Sequence, residues 1–271
     1  SAQQCGTYTG PTFKDGFGPP DVSFVEEPGV TLPPEGTALA LTITGPDEGA
    51  VVGTRSLQVY GTYSGPPAAG VAVNRTPAVQ TADQFVGLAV LEPGSNTITV
   101  KLTKLTGETE TQTRTVTYDP NLQPEVELQA QIQGEHAPIK PTFTIKQKPD
   151  LGLVITNLKV DFDGDGSFEI DTPNGAAVLK YEYRIPGFFT ASAIVTLDDG
   201  DTGTPPLVRT SARKMAIVPL PLTRQTVCYI FYRMKSKLTE NDIPGALKSL
   251  NADYRAEWQS EFEQVVDLPT V

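Results

Sequence analysis

Val160-Asp161-Phe162-Asp163-Gly164-Asp165-Gly166-Ser167-Phe168-Glu169-Ile170-Asp171 reads as strand, tight turn and strand. Acidic residues stand at every second position, between a strand-like run at Leu153–Val160 and another at Phe168–Ile170. Gly164 and Gly166 permit the sharp turn, because glycine enters the left-handed region without a Cβ penalty. The same stretch is the one place where the chain speaks about chemistry. Asp161, Asp163 and Asp165 supply carboxylate oxygens, and Ser167 or Glu169 would complete a shell of hard donors of the kind calcium prefers. The competing reading is a solvated Asp/Gly hairpin whose side chains bond only to turn amides.

Strand-like runs continue on both sides of this turn. Val126–Gln131, Thr142–Lys146, Val178–Tyr183, Thr190–Leu197 and Met215–Val218 join it in a second β-sandwich, and Pro120–Pro124 is a short linker before it. Upstream, Ala38–Thr44 alternates with Leu39, Leu41 and Ile43 on one face, then Gly45-Pro46-Asp47-Glu48-Gly49 turns the chain. Short strands follow at Ser56–Tyr63, Val71–Asn74, Gln84–Val90, Thr97–Thr103 and Glu110–Tyr118. Period-two runs at this spacing, separated by Gly/Pro/Asn breaks, predict a sandwich of immunoglobulin-like topology. Asn74 and Asn96 are expected to be turn residues tolerating left-handed conformations.

Two resemblances extend this reading. Leu57-Gln58-Val59-Tyr60-Gly61-Thr62, Val71-Ala72-Val73-Asn74, Phe85 and Leu91-Glu92-Pro93-Gly94-Ser95-Asn96-Thr97-Ile98-Thr99-Val100 make residues 37–119 similar to the bacterial Ig-like modules of glucodextranase B type. The acidic turn, Tyr181-Glu182-Tyr183, Pro186-Gly187-Phe188-Phe189-Thr190 and Val195-Thr196-Leu197-Asp198-Asp199-Gly200 occur in the order seen in PKD domains, with Val160 where that family usually has Trp. The resemblances imply accessory or spacing modules of secreted and surface proteins, with no activity of their own. The Asp spacing also resembles the first half of an EF-hand loop. The position that should hold the bidentate Glu is Thr172, with Asp171 one place early, so a full EF-hand is not expected.

The ends differ in character. Residues 1–36 carry Pro19-Pro20, Pro28-Gly29 and Pro33-Pro34 among isolated aromatics, which predicts an arm without regular pairing. From residue 222 the apolar period becomes helical: Val227, Ile230, Phe231, Met234 and Leu238, then Ile243, Ala246, Leu247 and Leu250, then Tyr254, Trp258, Phe262 and Val265. Asn241-Asp242 with Pro244 predicts a helix start. Leu238-Thr239-Glu240-Asn241-Asp242-Ile243-Pro244-Gly245-Ala246-Leu247 resembles a helical hairpin that follows PKD-like domains in some large bacterial surface proteins. The expected architecture is mainly β: two tandem Ig-like β-sandwiches (37–119 and 120–221) with a small C-terminal α-helical region (222–271).

Composition narrows function. A net charge of −11 over 271 residues argues against nucleic acid and anionic membrane surfaces. No apolar run approaches the ~20 residues of a spanning helix. Ser1-Ala2 fits the start of a processed chain, with no signal peptide visible. Cys5 and Cys228 either pair in one disulfide, as an exported protein allows, or are unrelated. The single His136 and the two distant cysteines do not make a zinc site, and His136 lies in a loop without a nucleophile elbow. A second acidic turn, Asp198, Asp199 and Asp201, reads as solvated loop. The chain is therefore expected to be a non-catalytic scaffold of a secreted or cell-surface bacterial protein, possessing a candidate calcium site and engaging a protein or glycan. The alternative is a carbohydrate-binding accessory region, for which alternating Tyr60, Tyr63, Tyr181 and Tyr183 would have to form an exposed platform.

Overall fold

The computed structural model describes residues 37–249 except 67, 135, 150, 174–177, 202 and 219, together with residues 7–8, 24–25, 255 and 259. In the N-terminal stretch β1 (Thr7–Tyr8) and β2 (Phe24–Val25) pair antiparallel, a short ladder that the Pro-rich sequence did not lead one to expect. Cys5, Tyr254, Trp258 and Phe262 lie outside the described residues, as does the side chain of Cys228.

The first sandwich follows from period-two burial. Its strands are β3 (Ala40–Gly45), β4 (Ala50–Val52), β5 (Ser56–Ser64), β6 (Gly70–Val73), β7 (Thr76–Pro77), β8 (Val79–Gln80), β9 (Gln84–Val90), β10 (Gly94–Thr103) and β11 (Thr109–Tyr118). One sheet has the order β3-β5-β9-β8, the other β4-β11-β10-β6-β7. The chain changes sheets between β3 and β4, past a cis Gly45–Pro46 peptide. β4 then runs parallel to β11, while the other pairs are antiparallel. This is an immunoglobulin-like order. Leu41 and Ile43 of β3 meet Ile98, Val100 and Leu102 of β10 around the fully buried Phe85. Each such aliphatic side chain contributes roughly 1.5–3 kcal/mol by leaving water.

Asn74 takes the expected left-handed conformation (φ 46°). Asn96 does not. It lies within β10, and its side-chain amide closes the preceding loop by bonding both the N–H and the carbonyl of Glu92. The linker is pinned to the first sandwich. A Cβ at Gly53 would sit 1.7 Å from the Leu122 carbonyl, so only glycine allows the chain to pass there. The Asp119 carboxylate also caps the turn at Pro120–Leu122 by accepting from the Asn121 N–H.

The second sandwich packs β12 (Val126–Gln131), β13 (Thr142–Gln147) and later β16 (Leu179–Lys180) against β14 (Val154–Asp161), β15 (Ile170–Thr172), β17 (Gly187–Asp198) and β18 (Leu207–Ile217). Ala191, Ala193, Val195 and Leu197 of β17 alternate into a core with Phe143, Leu158, Val160 and Met215. Several limits move. β15 starts at Ile170, because Phe168 is left exposed, with the Lys159 ammonium over its ring at 5.6 Å. Of Val178–Tyr183 only Leu179–Lys180 is strand, and Tyr183 instead bridges Ile139. β18 begins eight residues before Met215, through a mixed stretch in which the alternate residues Val208, Thr210 and Ala212 are exposed. Its ladder with β17 spans Leu197↔Leu207 to Gly187↔Ile217, so backbone pairing rather than apolar pattern fixes its length.

The first two of the three expected helices fall among the described residues and are helical, although Val227 and Phe231 of the first apolar stripe are exposed; the third, at 253–266, lies almost wholly outside them. α1 (Leu220–Thr239) precedes α2 (Ile243–Leu247), which the Asp242 carboxylate caps by accepting from the Gly245 N–H at 2.9 Å. Arg233, 4% exposed, ties the pair by donating to the Gly245 carbonyl and the Ser249 hydroxyl. Among the described residues no helix is long and apolar enough to cross a membrane.

The two sandwiches touch through one side chain in particular. The Gln58 amide on β5 donates to the Lys214 carbonyl at 3.0 Å and accepts the Lys214 N–H at 2.9 Å, standing in for a partner strand on β18. The Lys214 ammonium in turn donates to the Thr190 hydroxyl and sits 5.1 Å from the centre of the Tyr60 ring.

Candidate metal centre

The acidic turn begins where β14 ends. Period two carries both Val160 and Phe162 into the core, and the chain turns directly after them. Phe162 stacks on Tyr181 (centroids 4.8 Å, 15° between planes) and meets Phe143 at 4.8 Å. The buried Tyr183 hydroxyl donates to the Phe162 carbonyl at 2.7 Å. An aromatic wedge therefore fixes the base of the turn.

Above it the carboxylates converge. Asp161, 5% exposed, accepts the Gly164 N–H on one oxygen (2.6 Å) and the Gly166 N–H on the other (3.0 Å). Gly164 has φ 81°, and a Cβ there would meet the Thr190 carbonyl at 3.0 Å, so the turn needs glycine for both reasons. Asp163 accepts from the Asp165 N–H and the Tyr181 hydroxyl. Glu169 reaches back to accept the Phe162 N–H at 2.8 Å. One carboxylate oxygen from each of Asp161, Asp163, Asp165 and Glu169 lies within 4.8 Å of the others. Ser167 is exposed, and its backbone N–H donates to Asp165 at 2.7 Å.

This arrangement combines both sequence readings. The carboxylates do organise turn amides, and four of the five candidate ligands are also gathered about one point. Oxygens held this way form an all-oxygen donor set suited to a hard divalent cation. The EF-hand comparison ends at Ile170: Thr172 pairs with Leu158 in the β15–β14 ladder, and Asp171 forms an ion pair with Lys159 at 2.9 Å. The Lys159 hydrogen bond, with that of Asn157, holds the Asp171 carboxyl below its usual value.

Tyr181 is the neighbour that the sequence reading missed as part of this site. Burial, then the hydrogen bond to Asp163 and the surrounding carboxylates, push its phenol up to about 12. Burial raises the Tyr183 phenol as well. The alternation Tyr181-Glu182-Tyr183 was the available signal, but it suggested a binding platform. The tyrosines do not form one: Tyr183 is 2% exposed, Tyr181 stacks on Phe162, and the Tyr63 hydroxyl donates to the Thr81 carbonyl.

The second acidic turn stays local. Asp198, Asp199 and Asp201 each accept a backbone N–H two residues on, from Gly200, Asp201 and Gly203, and all lie toward solvent. His136 forms a parallel bridge with Val218.

No known protein family matches the chain, and no curated protein does. Solved β-sandwich structures resemble it weakly. Fibronectin(III)-like modules of CbhA from Clostridium thermocellum are 11% identical over 66% of this chain and 95% of theirs, with a TM-score of 0.22. A tetra-tandem repeat in the extending region of a large adhesion protein is 15% identical over 66% of this chain and 49% of that one (TM-score 0.23). SGBP-B of the Bacteroides ovatus mixed-linkage glucan utilization locus, solved with a mixed-linkage heptasaccharide, is 11% identical over 66% of this chain and 47% of its own (TM-score 0.22). The architecture assigned above rests on strand order and register rather than on these likenesses.

Proposed function

We propose that this chain is a non-catalytic spacer and interaction region of a secreted or surface-attached bacterial protein. It comprises an N-terminal arm (1–36), an Ig-like module (37–119), a PKD-like module (120–221) and a helical segment (222–271). The observation that supports this best is the joint between the sandwiches. Gln58 makes two hydrogen bonds to the Lys214 backbone, while Gly53 against Leu122 leaves the linker no slack. A joint of this kind holds two modules at a fixed angle, which is a mechanical role needing no turnover. Small-angle scattering tests it. The native chain should give one sharp distance distribution, and Gln58→Ala a broader one. An equally broad native profile would end the rigid-spacer reading.

Calcium is proposed as the ion at Asp161, Asp163, Asp165 and Glu169, with Ser167 alongside. It would cross-link the two ends of the turn and stiffen the hairpin. At about 100 times its dissociation constant, calcium adds roughly 2.7 kcal/mol to the unit that binds it. Thermal unfolding should therefore shift upward in millimolar calcium, return with chelator, and show no shift in Asp163→Ala. A calcium response identical in that variant would move the ion elsewhere, and no response at all would leave the turn a hydrogen-bonded hairpin.

A further inference from the structure

A groove runs between the two sandwiches, distinct from the acidic turn. It consists of two cavities of about 460 and 540 Å³ that share Thr54, Ser56, Pro124 and Glu127 as walls. Cavities of this size hold drug-sized or short oligomeric ligands. Their charge runs against the rest of the chain. Lys146 and Lys148 line one cavity, with Arg55 already paired to Glu92 at 2.8 Å, and Arg213 and Lys214 line the other, while Glu127 is the one acid lining either, in a protein of net charge −11.

Arg213 is the informative member. It projects from the core-facing register of β18, half-buried, and its Nε is fully shielded from solvent with no acceptor. Buried polar atoms in proteins are almost always paired. Glu127 is the counter-charge in reach, but it forms no ion pair with Arg213 and takes a hydrogen bond from Gln129 instead. Arg213 lines the cavity without an ion pair among the described residues, and a planar guanidinium fork matches carboxylate geometry. Lys146 and Lys148 also make no ion pair among the described residues. The remaining walls carry hydroxyls and side-chain amides, including Thr210, Gln129 and Gln147, which suit a hydroxylated ligand. Two adjoining cavities open to solvent and sharing walls suit a ligand of more than one unit.

We propose that this inter-sandwich groove binds a carboxylate-bearing polysaccharide segment, with Arg213 receiving a uronate carboxylate and Lys146 and Lys148 following the next acidic sugar. The proposal does not depend on calcium at the acidic turn and extends the spacer reading by giving the joint a ligand. Binding should weaken as salt rises, because the contact is charge-based and partly open to solvent.

Calorimetric titration of the full chain with a galacturonic acid tetramer, with chelator present, tests this. Its neutral galactose counterpart and poly-glutamate serve as the comparison probes. Binding of the uronate alone is expected, reduced at least tenfold in Arg213→Gln. It should strengthen in Glu127→Gln, a gain that misfolding cannot produce. Lys140→Ala, which removes a lysine outside the groove, should bind as the native chain does. No uronate binding, equal binding in Arg213→Gln with its fold intact by circular dichroism, or preference for the neutral sugar would overturn the proposal. Binding of poly-glutamate without the uronate would assign the groove to an acidic peptide and likewise overturn it.

Discussion

The two acidic turns of the second sandwich are built from similar residues and do different things. Asp161–Glu169 gathers four carboxylates about one point, whereas Asp198–Asp201 spreads three along solvent, each closing its own two-residue turn. Acid content and glycine spacing do not separate them. What separates them is the anchoring beneath. Phe162 drives into the core against Tyr181 and Phe143, Tyr183 holds its carbonyl, and Glu169 returns across the turn to its N–H. The second turn has no such wedge among the described residues, so nothing turns its carboxylates inward.

The largest test of that contrast removes the wedge. Phe162→Ala should cost about 3–5 kcal/mol, the range for emptying a buried aromatic site, and abolish any calcium response. Denaturant unfolding measures it, and a loss below 1 kcal/mol would mean that the turn does not depend on its aromatic base. Tyr183→Phe is narrower. It strands the Phe162 carbonyl and should cost about 1–3 kcal/mol with the ring packing kept. Gly164→Ala forces a Cβ into the left-handed region against Thr190, with an expected loss of about 1–2 kcal/mol. An Ala variant as stable as the native chain would show that the turn can relax.

Alkaline pH gives a smaller, directional effect. The folded Tyr181 phenol stands at about 12 against an ordinary 10.0, so the folded state holds the proton more tightly. Its contribution to stability is complete below about pH 10 and disappears as pH rises toward 12. Asp163→Asn should move the phenol's absorbance titration to lower pH. An unchanged midpoint would remove Asp163 as a cause. The smallest effect belongs to the second turn, where Asp199→Ala should stay within about 0.5 kcal/mol and leave the calcium response intact.

The sequence by itself determined the architecture and the address of the candidate site. Period-two runs such as Leu41/Ile43 and Ile98/Val100/Leu102 can bury one face only in a sheet, and turn residues at Asn74 and Gly164 mark where strands end. Asp161, Asp163, Asp165 and Glu169 were legible because their ligands lie close along the chain. Other features were set by partners distant in sequence. β18 starts well before Met215 because β17 pairs with it. Tyr181 and Tyr183 became supports rather than a platform because Phe162 came to lie against them. Gln58 reached Lys214, 156 residues away, and the Arg213 Nε was left without an acceptor at the groove between sandwiches. Local periodicity encodes which face of a strand is apolar. Only the packed chain decides what that face, or an orphaned side chain, meets.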